Sequence, residues 1–525
     1  MSSVDGLETQ PTRLGRVQPA SLAQLALLVA AYVVARLGLL HHLSSPVFGW
    51  RPADLASIAL GYYRHGFRLL YPQVFWGGAG PGYVEMEFPI IPFVTALLLK
   101  LFGTHEYVFV VLPLLFGFGL VWLTYRFGSY FFDASTGVAG GFLVALVPVL
   151  VTLTVEGQYA DPPMVFFASL GLYLFVRWFD EERWPQLIGG IACVSLAALV
   201  KLTGLYIGLP IAYLFWLKYR AAAWRALPVW LTGVGTVLPA VLWYWHAHGL
   251  YLQYHNTFGI IGSGYSKFAT RETLTDPVFY TRTAWRLFLY HLTPLGTAAF
   301  AVGLGVIWRR RVTFVLVWLI SVGIYTLVAA GGVWIGHFHY LLPLLPVSAT
   351  VAGVGITWTL DRVRALTNKR SRHLVVAATA FVFVLLAASA AFGGYLFEAR
   401  DRAGESPKWL KKKITGQRLK SLTRPNSLLI VVDTQMDEVT PDKSMTPPEV
   451  FYFADRNGWY VSLAWLSREK ILQYRAEGAQ YLVVSGQSIA DFEQARPDLK
   501  AFLASEFRTI LDDSDGLAFD LTEKP

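Results

Sequence analysis

Four carboxylates dominate the chemistry this 525-residue chain could do: Asp54, Glu85, Glu87 and Asp161. An ionised carboxylate within hydrogen-bond reach of a hydroxyl can take its proton. Each of the four falls just past the end of a long apolar segment. Acids near a bilayer cost several kcal/mol unless solvated or paired, so acids gathered at one membrane face mark a functional site. Glu85 and Glu87 share a face if their segment is extended, and Pro89 fixes the chain behind them. Trp76, Tyr83, Phe88 and Ile90 make that segment membrane-apposed.

Each candidate also has a plain structural reading. Asp54, opening an amphipathic stretch after Arg51, fits a helix N-cap or first-turn acid, and Asp161 before Pro162 and Pro163 reads as an N-cap. Lys201, between Val200 and Leu202, either snorkels to the lipid surface or holds an anionic headgroup. His337 and His339 form an H-x-H pair ahead of Tyr340. They could ligate a metal, but no third ligand is apparent, and headgroup hydrogen bonding is the better expectation. Tyr244, Trp245, Tyr251, Tyr254, Tyr265 and Phe268, with Lys267, Arg282 and Arg286, suit sugar stacking and phosphate pairing, or equally an interfacial belt.

The elements that position these groups are mostly apolar. With 54% hydrophobic and 15% charged residues, against roughly 25% charged in soluble domains, the chain reads as a polytopic α-helical membrane protein. Its net charge of +9 is spread as short basic clusters between apolar runs, where it serves topology rather than nucleic acid. Cys193 stands alone, which excludes intramolecular disulfides and cysteine-based metal sites. Arg13 and Arg16 precede a first uncleaved span from about Leu22 to Leu40. Further segments near the ~20 residues a bilayer requires run from Tyr107 to Tyr125, Ser135 to Leu153, Pro163 to Trp178, Leu187 to Val200, Leu202 to Leu217 and Leu227 to Trp245. Leu287 to Trp308, Val312 to Ala330, Tyr340 to Trp358 and Leu374 to Tyr395 complete about eleven spans.

Basic loops at Arg126, Arg177 and Arg183, Lys218 to Arg225, Arg309 to Arg311, and Arg362 to Arg372 (including Lys369 and Arg370) alternate with loops carrying the acids. That pattern places the acids together outside a cell membrane. Residues 1–396 form this membrane module, with a large outer loop over 44–106. In that loop Asp54 to Tyr63 and Pro89 to Phe102 read as interfacial or re-entrant helices. From Phe397 to the end, residues 397–525 carry 20 of the 35 acidic residues and alternate β, α, β from Ser427 to Ser485, so an extracytoplasmic soluble α/β domain is expected. The Lys411 to Lys413 run beside Trp409 reads as a lipid-surface anchor.

Taken in order, Asp54, Tyr83-Val84-Glu85-Met86-Glu87-Phe88-Pro89, Gln158-Tyr159-Ala160-Asp161-Pro162, Leu199-Val200-Lys201-Leu202 and His339-Tyr340-Leu341-Leu342-Pro343 resemble the dolichyl-phosphate-mannose protein mannosyltransferases and their bacterial relatives, including the aminoarabinose transferases. The likeness covers about Leu22 to Trp358. It implies the C-type membrane glycosyltransferase fold, with a sugar moved from a polyprenyl-phosphate donor to a hydroxyl of a protein, lipid or glycan acceptor by one inverting displacement. By the resemblance Asp54 is the catalytic carboxylate, with Glu87 and Asp161 orienting hydroxyls. Lys201, Arg282 or Arg286 would face the leaving phosphate, and Glu85, Lys267, His339 and Tyr340 would bind substrate. The family often has adjacent Asp-Glu in the first loop. Here Leu55 follows Asp54, which leaves the second carboxylate to Glu85 or Glu87. The family needs no metal, although clustered carboxylates could hold Mg²⁺ or Mn²⁺. The competing class is a secondary transporter or flippase, whose ionisable groups belong near the midplane on broken helices; these spans hold almost no acids.

Overall fold

The computed structural model describes residues 14–16, 20–39, 49–260, 267–366, 372–402, 405–434 and 446–524. Arg13, residues 44–48 of the outer loop, Tyr265, Lys369 and Arg370 lie outside them. The chain opens with α1 (Leu22–Leu37), started by a capping box: Ser21 Oγ accepts from Gln24 N at 3.2 Å while Gln24 Oε1 accepts from Ser21 N at 3.0 Å. Helices α2 (Trp50–His65) and α3 (Ile90–Phe102) belong to the large loop that follows. The bundle continues with α4 (Val108–Phe131), α5 (Ala134–Leu146), α6 (Pro148–Val155), α7 (Asp161–Glu181), α8 (Trp184–Val200), α9 (Gly208–Tyr219) and α10 (Leu227–Tyr254). Next come the short α11 (Arg271–Thr275) and α12 (Pro277–Arg286), then α13 (Pro294–Arg309), α14 (Thr313–Val328), α15 (Ala330–Trp334), α16 (Leu345–Leu366) and α17 (Arg372–Leu396).

Among the described residues five helices are long and apolar enough to cross a membrane, or seven if each of two bent pairs counts as one span. Four further apolar helices, α1, α3, α8 and α14, have 10–17 residues. Both bends have local causes. Between α5 and α6 the axis turns 56° where Val147 precedes Pro148, because the residue before a proline is pushed out of the helical region. The buried Arg36 side chain serves the backbone around that break: Nη1 donates to Ala145 O at 3.1 Å and Nη2 to Leu150 O at 3.5 Å. The run from Leu287 to Trp308, expected as one span, turns 103° at Leu292–Thr293, between a π-helical turn at Leu287–His291 and Pro294, which opens α13.

Beyond the bundle, α18 (Glu405–Leu422) leads into a five-stranded sheet made of β1 (Leu428–Asp433), β2 (Asn457–Ser462), β3 (Ala479–Ser485), β4 (Arg508–Asp513) and β5 (Gly516–Asp520). The order is β2-β1-β3-β5-β4, with β1 parallel to β2 and β3, and β5 antiparallel to β3 and β4. Helices α19 (Glu449–Ala454), α20 (Arg468–Ala476), α21 (Ile489–Ala495) and α22 (Pro497–Glu506) complete the unit. Strand β1 is buried on both faces and its side chains alternate. Ile430 and Val432 meet α20, α21 and α22, whereas Leu429 and Val431 join a core built from α19, α2, α3 and the outer loop. The sheet and the loop helices therefore share one apolar core.

Two expectations change here. Helix α2 is not an amphipathic helix at a lipid surface: every residue from Pro52 to Tyr62 is buried, because α3, the outer loop, α19 and the sheet enclose it in one apolar core. Lys412 is not a surface anchor. It is buried, with Nζ 3.4 Å from Asp433 Oδ2 and 3.7 Å from Glu449 Oε2.

Glycines set the tightest contact in the bundle, between α13 and α16. A Cβ at Gly303 would lie 1.9 Å from Val351 O, and one at Gly355 1.9 Å from Ala299 O. Gly355→Val is expected to force these helices apart at a cost of about 3 kcal/mol or more, read as a lowered melting temperature of the detergent-solubilised protein.

Candidate functional site

The site sits where the outer loop meets the ends of α7, α8 and α10. Helix α10 has 28 residues, roughly 42 Å at 1.5 Å per residue, longer than a ~30 Å hydrocarbon layer is thick, and its last turns reach the outer loop. Those turns brace the loop: Trp243 Nε1 donates to Met86 O at 3.0 Å, and His248 Nδ1 lies 3.1 Å from Glu85 Oε1. Just past α10, Asn256 O accepts from Glu85 N at 2.9 Å, and on the other side Phe88 N donates to Leu199 O at 2.9 Å at the end of α8. The Glu85–Phe88 segment is thus strung between two helix ends.

Asp161 is the first residue of α7, with Ala160 at the cap position and no side-chain cap hydrogen bond. The expected N-cap role is not seen. The carboxylate turns instead to Lys201, at the C-terminal end of α8, whose Nζ lies 2.7 Å from Oδ1, while His339 Nε2 is 3.9 Å from Oδ2. Lys201 does not snorkel. Its side chain is 13% exposed and its ammonium rests 3.9 Å above the Tyr340 ring, so apolar helix ends hold a charge pair that stays together because neither partner has water to replace the other. His337 stacks beside Tyr340 and His339.

Glu87 is half-buried and acts electrostatically on both Lys201 and Lys267. Burial pushes the Lys267 ammonium down to about 8, against the pull of Glu87 and with Arg51 adding repulsion. Lys267 Nζ donates to Gly259 O at 3.2 Å.

Asp54 lies in the second turn of α2, past the cap and first-turn positions, and is 1% exposed. Trp76 Nε1 donates to its Oδ1 at 3.0 Å. Burial pushes the carboxyl up to about 8; Arg51 and the Trp76 indole oppose this, and Glu449 from the C-terminal sheet unit adds to it. Arg51 also acts on Lys267 and His339, which ties Asp54 to the cationic group around Lys201.

The fold therefore gathers Asp54, Glu87, Asp161, Lys201, Lys267, His339 and Tyr340 at one end of the bundle. Glu85 is fully buried, accepts from Thr257 Oγ1 and meets His248, so it fixes the loop, and it also acts electrostatically on Lys267. Arg282 is exposed on α12, and Arg286 Nη1 donates to Val333 O at 2.6 Å. Among the described residues no three His, Cys, Asp or Glu side chains converge as metal ligands. Sequence reading gave Arg51 and Trp76 no part in the site and did not single out His248 or Glu449. Only Arg51, three residues before Asp54 on one helix, carried a local signal.

Residues 86–245 match the family model described as dolichyl-phosphate-mannose-protein mannosyltransferase. YycA of Bacillus subtilis (strain 168), which carries a provisional mannosyltransferase name, is 25% identical over 137 residues, covering 26% of this chain and 20% of that protein. The fold is shared along nearly the whole chain with ArnT from Cupriavidus metallidurans bound to undecaprenyl phosphate, at a TM-score of 0.63 and 14% identity over 95% of this chain and 98% of that one. It is also shared with the oligosaccharyltransferase AglB from Archaeoglobus fulgidus in complex with an inhibitory peptide and a dolichol-phosphate, at 0.55 and 14% identity over 93% and 73%. The chain thus shares the fold of ArnT and AglB, and its long apolar helices are those of a multi-pass membrane protein.

Two outcomes test the site's energetics. Lys201→Met leaves Asp161 as an uncompensated buried charge and is expected to lower stability by about 3–5 kcal/mol; adding Asp161→Asn should recover much of that in thermal unfolding. Asp54 binds its proton more tightly folded than unfolded, so its contribution to stability falls as pH rises from about 4 to 8. Asp54→Asn should remove that slope and raise the melting temperature above the wild type at pH 8 and beyond.

Proposed function

We propose that this protein is a membrane glycosyltransferase that moves a sugar from a polyprenyl-phosphate donor to an acceptor hydroxyl at the extracytoplasmic face. The observation that carries the reading is a buried carboxylate, Asp54, fixed by the Trp76 indole at 3.0 Å and placed near Arg51, at the same end of the bundle as Lys201, which Asp161 holds at 2.7 Å, and Lys267. That is the pairing needed to deprotonate a nucleophile and receive an anionic leaving group. The match to the mannosyltransferase family model and the fold shared with ArnT support the same class.

In the proposed reaction the acceptor oxygen attacks the anomeric carbon as the bond from that carbon to the phosphate oxygen breaks. The polyprenyl phosphate departs with the bonding electron pair, the acceptor proton passes to Asp54, and the configuration at the anomeric carbon inverts. Lys201 and Lys267 stabilise the departing phosphate. Asp161, by holding Lys201, fixes where that positive charge sits, and Glu87 orients the sugar or acceptor hydroxyls. No metal is needed in this scheme.

The test is transfer of labelled sugar from purified polyprenyl-phosphate donors by the reconstituted protein. Asp54→Asn should reduce transfer at least ~100-fold, the lower range for loss of a general base. With its carboxyl near 8, only about a tenth of Asp54 is ionised at pH 7, so the wild-type rate should climb as pH rises towards 8. Unchanged transfer in Asp54→Asn removes Asp54 from this role, and failure with every donor favours a transporter or flippase of lipid-linked saccharides.

A further inference from the structure

Both lysines of the site lean on one short element. Helix α15 is tied down along its length: Val328 O, just before it, accepts from Ala269 N at 2.9 Å, Val333 O accepts from Arg286 Nη1 at 2.6 Å, and Trp334 Nε1 donates to Asp276 Oδ2 at 2.8 Å. At its centre the buried Gly332 makes three contacts. Its N–H donates to Lys267 O at 3.1 Å, and its carbonyl accepts from His337 N at 3.1 Å. The Tyr340 ring lies so close to its Cα that an added Cβ would stand 2.9 Å from Cε1 and 3.1 Å from Cδ1 and Cζ. The same ring carries the Lys201 ammonium 3.9 Å from its centroid. From Gly332, therefore, one contact leads to the main chain of Lys267 and two lead to the charge of Lys201.

We propose that Gly332 is a positioning residue that sets the spacing of Lys201 and Lys267: its main chain anchors one, and the side chain it lacks makes room for the ring under the other. A helix interior favours alanine over glycine, so a buried helical glycine needs a packing reason. No positive φ calls for glycine here; the room taken by the ring does. Tyr340 is itself buried, and Asp161 also holds Lys201, at 2.7 Å. A ring displaced by a methyl group therefore takes the ammonium with it or strains the contact to Asp161. Lys267 is fixed at both ends, its carbonyl by Gly332 and its Nζ by Gly259 O at 3.2 Å. The inference rests on the reading that these two lysines receive the departing phosphate. In the donor that phosphate is a diester with one negative charge, and on departure it becomes a monoester with up to two. Two cations at a fixed separation thus favour the departed form over the bound donor, which is where stabilisation speeds a reaction.

The probe is a polyprenyl phosphate, the proposed leaving group, titrated into the full-length protein in detergent. Gly332→Ala should weaken its binding about tenfold, for a displacement of about half an ångström where 1 Å can cost ~100-fold; alanine itself keeps α15 helical. Tyr340→Leu should lose about thirtyfold, the worth of a desolvated cation–π contact. The double variant should bind no worse than Tyr340→Leu alone, because the added methyl then meets no ring, whereas a purely structural injury to α15 would persist in it. Trp334→Phe, which frees α15 from Asp276 and changes neither lysine nor the ring, should weaken binding in the same direction. In sugar transfer by Gly332→Ala, kcat should fall further than KM for the donor rises. Wild-type affinity in folded Gly332→Ala overturns the proposal, as does its full loss repeated in the leucine background. If Gly332→Ala fails to fold, unchanged affinity in Trp334→Phe overturns it. A wild-type protein that binds no polyprenyl phosphate removes the proposed reaction together with this inference, an outcome distinct from a wild type that binds and a Gly332→Ala that binds as well.

Discussion

The rest of the structure depends on the removal of Asp54 from water. A carboxyl in the second turn of a sixteen-residue helix normally faces solvent, and to bury it the protein must cover α2 on every side. It does so with elements from distant parts of the chain: α3 and the Trp76 loop from the same outer segment, and α19 with strands β1 and β3 from the C-terminal unit. The neighbours that remain, the Arg51 guanidinium, the Trp76 indole and Glu449, therefore act through a medium that screens weakly. Chemistry and packing are one problem here, because any loosening of the shared core admits the water that its burial excludes.

A second constraint lies across the site at the mouth of the bundle. Lys201 and Asp161 occupy the facing ends of α8 and α7, helices packed along their length, so their separation is set by helix packing rather than by side-chain flexibility. The Glu85–Phe88 segment is tied on both sides to helix ends, which leaves Glu87 little freedom to drift from the two lysines. Such over-determination is what a site needs to hold charges in place before a substrate arrives.

Much of this was legible in the residues and some was not. The acids were visible because charge is scarce in apolar sequence, and the β, α, β alternation from Ser427 to Ser485 is met by β1, α19, β2, α20 and β3, since alternation and turn residues are local signals. The 103° turn before Pro294 was also locally written, yet an apolar run reads as continuous whatever its direction. Asp161 looked like a cap because Asp-Pro favours one; Lys201, forty positions later, won its carboxylate instead. The all-round burial of α2 and the place of Lys412 had no local signature, because both are made by contact between the outer loop and residues near the end of the chain.

That last contact has a temporal side. The strip Phe75–Gly78 is stitched to the edge of the sheet, Gly458 N donating to Phe75 O at 2.9 Å and Gly458 O accepting from Gly78 N at 2.8 Å, while Arg64 meets Asp455, 391 residues away in sequence. The seam closes an edge that would otherwise be open to pairing with other chains. It also means that the pocket around Asp54 is completed only by residues that are synthesised after the whole of the bundle.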